Sequence, residues 1–532
     1  MRYHVIIAAA MAMLLPKYSS AQTMVSPDYD VVQGMSPWLT SSNRAALYRL
    51  PVVRIARAQA EACKGDGGYR DLGESSDAAS GSVEAQAYAR TSDRITFYGD
   101  MGYLYDRGEE MGGPVLMDPS FNAINFYEYP NDNPGRKTKE LYTLEGGMSY
   151  RLTDRVAFGI GAGYQSGNYS KRKDPRNLNR WMDLNLSLGT HVQVSDLFSF
   201  GADLRYRRTV ESLSSRIYGV TGQNYFYFID YGAMMGRVEV LGSDNYFVSD
   251  SFERPVLNNF CGLGLQAEVG NHEYGVSYFN ELSLTLRKGS YGDKASSEIL
   301  FSHNDATSCD YSGVLAIRGR VRQNVKVGAS YAVSANHVNS FSVISNPGEN
   351  LEVEYYGAAK VQDRTEMKGT LGYEVLAGGT AMRPAWHIAA EINASRDALT
   401  AYYYPYLRHQ QADVANASAS AMHCMARGSN VFEIGLEGGF RKGSGTKAED
   451  EVMVEVSGPG PRTAQEYLDA SWEYRTAAAA SAGVTFRYSR ILRSGNAVYV
   501  GIKEKFGSLL QKPEYLEGRS RNVATISVGC SF

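Results

Sequence analysis

Residues 180–194 read RWMDLNLSLGTHVQV. Met182, Leu184, Leu186, Leu188, Val192 and Val194 fall on one face of an extended chain. Asp183, Asn185, Ser187, Gly189, His191 and Gln193 fall on the other. An alternation sustained over more than about ten residues has the period of a β-strand and not of a helix. The next stretch repeats it: Phe198, Phe200, Ala202, Leu204 and Tyr206 oppose Ser199, Gly201, Asp203, Arg205 and Arg207. Ser195-Asp196 supplies a tight turn between the two. About ten residues of apolar-out, polar-in alternation is the length of a tilted strand that crosses a bilayer.

Working outward, the same pattern recurs as hairpins. Turns are predicted at Ser92-Asp93, Thr153-Asp154, Ser195-Asp196, Asn271-His272, Arg322-Gln323, Gln362-Asp363, Ser395-Arg396, Gly428-Ser429 and Ser494-Gly495. With a first strand from about residue 52 to 61 and a terminal strand, these predict about 16–20 strands, centred on 18. Longer connections are expected on the other side, at 106–138, 210–258, 288–308 and 442–470. Short turns on one side and long loops on the other fit an all-β fold: a single closed antiparallel transmembrane barrel over residues 52–532, with periplasmic turns and extracellular loops. In lipid every backbone group must be paired, and a closed sheet achieves this without edges.

Composition agrees. The 532 residues carry a net charge of −3, with 54 glycines, 38 tyrosines and only 16 prolines. A mean hydropathy of −0.33 excludes a bundle of apolar membrane helices, and the balanced charge argues against a nucleic-acid binder. Arg2 followed by the apolar run VIIAAAMAMLL at 5–15 reads as a signal peptide. Small residues at Ser19 and Ala21 predict cleavage after Ala21, export, and a mature charge of −5 from 52 bases and 57 acids. Residues 22–51 form a polar leader, periplasmic or lumenal, with Trp38 and Leu39 as an anchor. A TonB-dependent receptor would place a folded plug of well over about a hundred residues before its barrel, so the early first strand disfavours that class. Five scattered cysteines, at 63, 261, 309, 424 and 530, do not make a disulfide framework, with only a Cys63–Cys309 bridge left open.

The chain ends RNVATISVGCSF, with Ala524, Ile526, Val528, Cys530 and Phe532 on one face. A last strand ending in phenylalanine resembles the assembly signal of outer-membrane barrels. The stretch SPWLTSSNRAAL at 36–47, followed by Gly67-Gly68-Tyr69-Arg70, resembles a group of uncharacterised outer-membrane β-barrel proteins of Bacteroidota. That resemblance implies location and architecture, loosely suggests envelope uptake, and supplies no activity. The partners it implies are outer-membrane lipid and lipopolysaccharide, the barrel-assembly machinery and another envelope uptake component.

Function is less legible. Gly159, Gly161 and Gly163 spell GxGxG, yet they alternate with Phe158, Ile160 and Ala162 and read as small lumen-facing residues rather than a phosphate loop. There is no HExxH and no GxSxG, and the histidines are scattered, so no catalytic, cofactor or metal residues are predicted. In Met422-His423-Cys424-Met425 adjacent side chains face opposite sides of a strand and cannot converge on a metal. The lumen is expected to be lined by Asp203, Arg205, Arg207, Glu268, Arg318, Arg320, Lys326, Glu352, Glu354, Glu433 and Glu437. Asp183, Glu281, Lys360, Lys368, Glu374 and Glu391 share their inward phase. Arg205/Arg207 and Arg318/Arg320 would form basic stripes, opposed by Glu352/Glu354 and Glu433/Glu437 in a transverse field. The alternative is a plugged lumen laced by salt bridges. Surface contacts are assigned to Lys171, Arg172 and Lys173, and to Tyr225, Tyr227 and Tyr231 of an aromatic loop. The Tyr402-Tyr403-Tyr404-Pro405-Tyr406 run fits an interfacial girdle. The functional expectation is passage or uptake of polar solutes without a TonB-type plug domain. A non-conducting structural or accessory barrel comes second, and a barrel-embedded hydrolase third.

Overall fold

The computed structural model describes residues 27–117, 124–219, 222–242, 247–270, 275–293, 299–344, 352–455 and 457–532. The signal-peptide cleavage point and the Asn271-His272 turn lie outside the described residues. In chain order the strands are β1 (Arg54–Asp66), β2 (Asp77–Arg90), β3 (Ile95–Met111), β4 (Asn125–Glu128), β5 (Gly135–Arg151), β6 (Val156–Lys171), β7 (Arg176–Ser195) and β8 (Phe198–Arg216). There follow β9 (Phe226–Gly232), β10 (Met235–Val240), β11 (Arg254–Gly270), β12 (Val276–Gly292), β13 (Leu300–Ile317), β14 (Val321–Ile344) and β15 (Glu352–Ala377). The last are β16 (Trp386–Tyr403), β17 (Tyr406–Arg427), β18 (Asn430–Val452), β19 (Arg462–Thr463), β20 (Ala479–Ile491), β21 (Ala497–Leu509) and β22 (Ser520–Ser531).

Eighteen of these form one antiparallel sheet that closes where β22 pairs with β1, so no edge is left. Phe532 seals the seam. Its N–H donates to the Ala56 carbonyl at 3.0 Å and its carbonyl accepts the Ala56 N–H at 2.7 Å. The outer face carries the apolar phase: Ile160, Leu186, Leu188 and Leu204 are neighbours across β6, β7 and β8 and all are exposed. An outward apolar band of this kind is the lipid-facing surface of a transmembrane barrel.

β4, β9, β10 and β19 form a second, four-stranded sheet that belongs to the long loops. With α3 (Gln465–Thr476), the third helix of the described chain after α1 (Tyr29–Gln33) and α2 (Pro37–Thr40), it builds a cap. The cap packs on the barrel wall through an aromatic core, in which Phe126, Tyr227 and Phe247 are buried with Tyr291 of β12 and Phe301 of β13.

The structure moves several predicted boundaries. Gln362-Asp363 and Ser395-Arg396 are not turns; they lie inside β15 and β16, strands of 26 and 18 residues. The turn that joins those strands is 378–385, where Gly378 and Gly379 take φ of +66° and +63°. The turn expected at Arg322-Gln323 is 318–320. The expected loop 288–308 shrinks to 293–299, because β12 and β13 extend the barrel wall well above the apolar band. All five cysteines are free, and Cys309 is exposed while Cys63 is half-buried.

Candidate functional site

The leader occupies the lumen at the end that carries the short turns. Its fold is local. Asp28 caps α1 by accepting the Val31 N–H at 3.2 Å, Pro37 opens α2, and Asn43 accepts the Ala45 N–H at 3.0 Å to start a 3₁₀ turn, Arg44–Arg49. None of these short turns would persist alone in water; the barrel wall holds them.

The wall has been cut to receive them. A Cβ on Gly159 would overlap the Ala45 backbone, one on Gly189 the Asn43 amide, and one on Gly201 the Trp38 ring. The GxGxG spelling on β6 therefore has a packing reason: it lets the 3₁₀ turn lie directly on the sheet. Trp38 is fully buried between His191 and Phe279, with ring centroids 4.6 and 5.0 Å away, and donates its indole N–H to Glu268 at 2.8 Å.

The leader carries acids first and bases later, and the wall answers in kind. On one side Arg49 pairs with Glu268 at 2.7 Å and Arg44 with Glu145. Ser42 Oγ lies 2.8 Å from Asp203 and 2.6 Å from Glu281. On the other side Asp30 accepts from Arg57 at 2.8 Å, and Asp28 meets Arg487 at 3.1 Å and Arg383 at 3.9 Å. Glu433 completes this second group, accepting from Arg383 at 2.8 Å and from Arg487. Beside it the lumen retains a cavity of about 800 Å³ along β14–β22 and β1, lined by Arg57, Arg322, Lys326, Glu374, His387 and Lys503 among others. Glu374 accepts there from Asn324 at 2.9 Å, Lys326 at 3.1 Å and His387 at 2.7 Å.

These positions redistribute the predicted lumen residues. Asp203, Glu268 and Glu433 contact or neighbour the leader. Arg205 pairs with Asp203 at 3.1 Å and Arg207 with Asp183 at 2.6 Å, so the basic stripe is neutralised on its own wall and does not face opposing acids. Arg318 and Arg320 lie in the 318–320 turn, not on a strand; Arg318 donates to the Met35 carbonyl of the leader. Glu352 and Glu354 sit exposed at the start of β15, at the loop end, far along the strand from Glu374. Glu437 holds Lys503 at 2.8 Å. The leader's bases are met by Glu145 and Glu268 on one wall, and its acids by Arg57, Arg383 and Arg487 on the other. Arg57 and Arg487 had the inward phase in the sequence. Arg383 was hidden by the misplaced turn, and the acid-then-base order of the leader was the unread signal.

At the opposite end the cap reaches the wall on several sides. Asn179 on β7 donates to the Val115 carbonyl at 2.9 Å, Gln362 on β15 to Tyr231 at 2.8 Å, and Arg408 on β17 to Ala233 at 3.2 Å. Glu473 of α3 accepts the N–H groups of Glu514, Tyr515 and Leu516 at 2.7–2.9 Å. Three of the residues assigned to surface contacts are instead internal. Lys171 is buried on Glu128, and Tyr227 and Tyr231 are buried in the cap core, because the aromatic run is β9, covered on both faces. Arg172 and Lys173 are exposed and Tyr225 half-buried. Burial pushes the Asp230 carboxyl up to about 7, against the opposing pull of the Gly232 and Met234 N–H groups. Among the described residues no group of three or more His, Cys, Asp or Glu side chains is placed to hold a metal ion.

Residues 45–532 match the family of unknown function DUF6850. The chain belongs to that family. No curated protein sequence matches it. Among solved structures this DUF6850 barrel is similar to a variant of the ferric enterobactin receptor PfeA from Pseudomonas aeruginosa in complex with enterobactin, at 9% identity and TM-score 0.40, over 89% of this chain and 81% of that one. It is also similar to the outer membrane transporter YddB from Escherichia coli, at 7% identity and TM-score 0.39, over 90% and 80%. A third is BauA, the ferric preacinetobactin receptor from Acinetobacter baumannii, at 8% identity and TM-score 0.36, over 90% and 80%.

Proposed function

We propose that this barrel takes up polar solutes across the outer membrane and is held shut at rest by its own leader. The observation that carries the reading is how the leader is held. Ion pairs tie it to both walls of the lumen, while its apolar side chains Tyr29, Val32, Leu39, Leu47 and Leu50 cluster together and Trp38 is buried against the wall. Five of the seven buried residues of that cluster belong to the leader itself, so its withdrawal uncovers Ile55, Tyr88 and Phe279 of the wall and otherwise polar lining, where a structural filler would ordinarily leave an apolar wall behind. The cavity beside it gives a solute a place to wait. In this reading residues 27–50 do the closing that a plug domain would do.

The test is planar-bilayer recording of the full mature chain, a variant lacking 27–50, and that variant also lacking 222–242 of the cap. The intact protein should be silent, the first deletion should conduct with frequent closures, and the second should stay open longer. Silence of both deletions in correctly folded barrels would replace this reading with a non-conducting accessory partner of another envelope complex.

A further inference from the structure

We propose that Arg57, Arg383 and Arg487 form an anion-binding site of the lumen, occupied in the closed state by the leader's own Asp28 and Asp30, which a carboxylate-bearing solute displaces. This deepens the uptake reading and rests on it for its biological meaning.

Three observations converge. First, the site is built from three elements, β1, the 378–385 turn and β20, so nothing local requires their guanidinium groups to meet. Second, Glu433 of the wall bonds Arg383 and Arg487, and Glu61 and Glu374 line the same cavity. Residues of the leader bond the same three arginines: Asp30 grips Arg57 through both oxygens at 2.9 and 2.8 Å, and Asp28 reaches Arg487 and Arg383. If the leader withdraws, the three guanidinium groups lose the carboxylates of Asp28 and Asp30, and the carboxylate of a solute can take their place. Third, the same residues line the cavity, so a solute there touches the contacts that hold the leader. Arg322, Lys326 and Lys503 continue the positive lining away from the leader, although Lys326 and Lys503 are paired with Glu374 and Glu437.

The consequence is coupling. Solute and leader compete for one set of donors, so an anion that fills the site frees the leader's first helix, and the leader opposes anion binding by the same factor. The opposite end of the leader, Trp38 to Arg49, rests on acids and gains nothing from an anion. Release therefore begins at Asp28.

Citrate is the probe, and tryptic release of the leader is the readout, since Arg44 and Arg49 are held inside the lumen. With full-length protein in detergent, citrate should speed release of the peptides ending at these residues about fivefold or more, the low end of ordinary coupling between sites. Sodium chloride at matched ionic strength should not. Equal acceleration by chloride would mean screening of ion pairs and would overturn the site. Asp28→Asn with Asp30→Asn should release quickly without citrate and bind citrate more tightly by calorimetry. Arg57→Gln with Arg487→Gln should lose citrate binding. Trp38→Phe should loosen the leader and, because leader and anion compete, lower the half-effective citrate concentration. An unchanged rate with citrate in the wild type, or citrate binding that survives Arg57→Gln with Arg487→Gln, would sink the proposal. Neither outcome depends on conductance, so a silent barrel that still exchanges its leader for citrate would refute uptake and leave this site standing.

Discussion

Two single residues carry testable energetics. Trp38 was legible as an anchor because a tryptophan in a polar stretch needs a pocket; its hydrogen-bond partner Glu268, about 230 positions away, was not. Trp38→Ala should cost about 3 kcal/mol or more of leader docking and leave Glu268 facing an unfilled pocket. The check is amide exchange at 27–50, which should rise while the barrel strands stay protected; unchanged exchange would mean that Trp38 does not anchor the leader. Asp230 reports on the cap. Its folded carboxyl titrates at about 7, above the ordinary 3.8. Between those values the folded cap keeps a proton that the unfolded segment has released. Cap stability should therefore fall as pH rises from about 4 through about 7, by up to roughly 4 kcal/mol, and be flat beyond. Asp230→Asn should reduce that slope in the melting of the cap core followed by tyrosine fluorescence, leaving the share of Glu239, whose carboxyl is also raised by burial; equal slopes in both proteins would refute the assignment.

At the scale of elements, what the sequence revealed was whatever obeys period two. Residues 180–207 were readable because β7 and β8 have one wet face and one lipid face. β9 was not, because residues 226–232 are buried on both faces and show no alternation, only aromatic density. The 378–385 turn was missed because β15 runs past the bilayer, where alternation relaxes and Gln362-Asp363 imitates a turn. Where alternation holds, it makes a quantitative statement. Leu186→Arg places a charge in the apolar band and should cost about 2–4 kcal/mol, whereas Asn185→Arg points into the hydrated lumen and should cost under about 1 kcal/mol. Reversible unfolding from detergent micelles compares them, and equal costs would mean the strand faces were inverted. Deleting Phe532 removes the 2.7 and 3.0 Å seam bonds to Ala56 and should lower the yield of heat-modifiable barrel.

At the scale of the molecule, the leader and the wall form one electrostatic lock whose halves are far apart in sequence, which is why inward phase alone paired the wrong residues. A lock of this kind should work between separate molecules. A synthetic peptide of residues 27–50 should re-close the barrel that lacks them. Tethering gives the native leader an effective concentration on the order of millimolar, and the free peptide must in addition offset lost translational freedom, so closure is expected near about 0.1–1 mM peptide. Because the contacts at Arg57, Arg487, Glu145 and Glu268 are ionic, closure should weaken as salt rises. The discriminating control inverts the charges, with lysine at Asp28 and Asp30 and glutamate at Arg44 and Arg49. This peptide keeps Trp38 and the length but meets like charge on both sides of the lumen, so it should not close the channel. Closure of leader-deleted channels, or burial of Trp38 seen as a blue-shifted emission, reads the result. Equal action by both peptides would show that bulk, not charge, blocks the lumen, and the ion pairs would then have no part in gating.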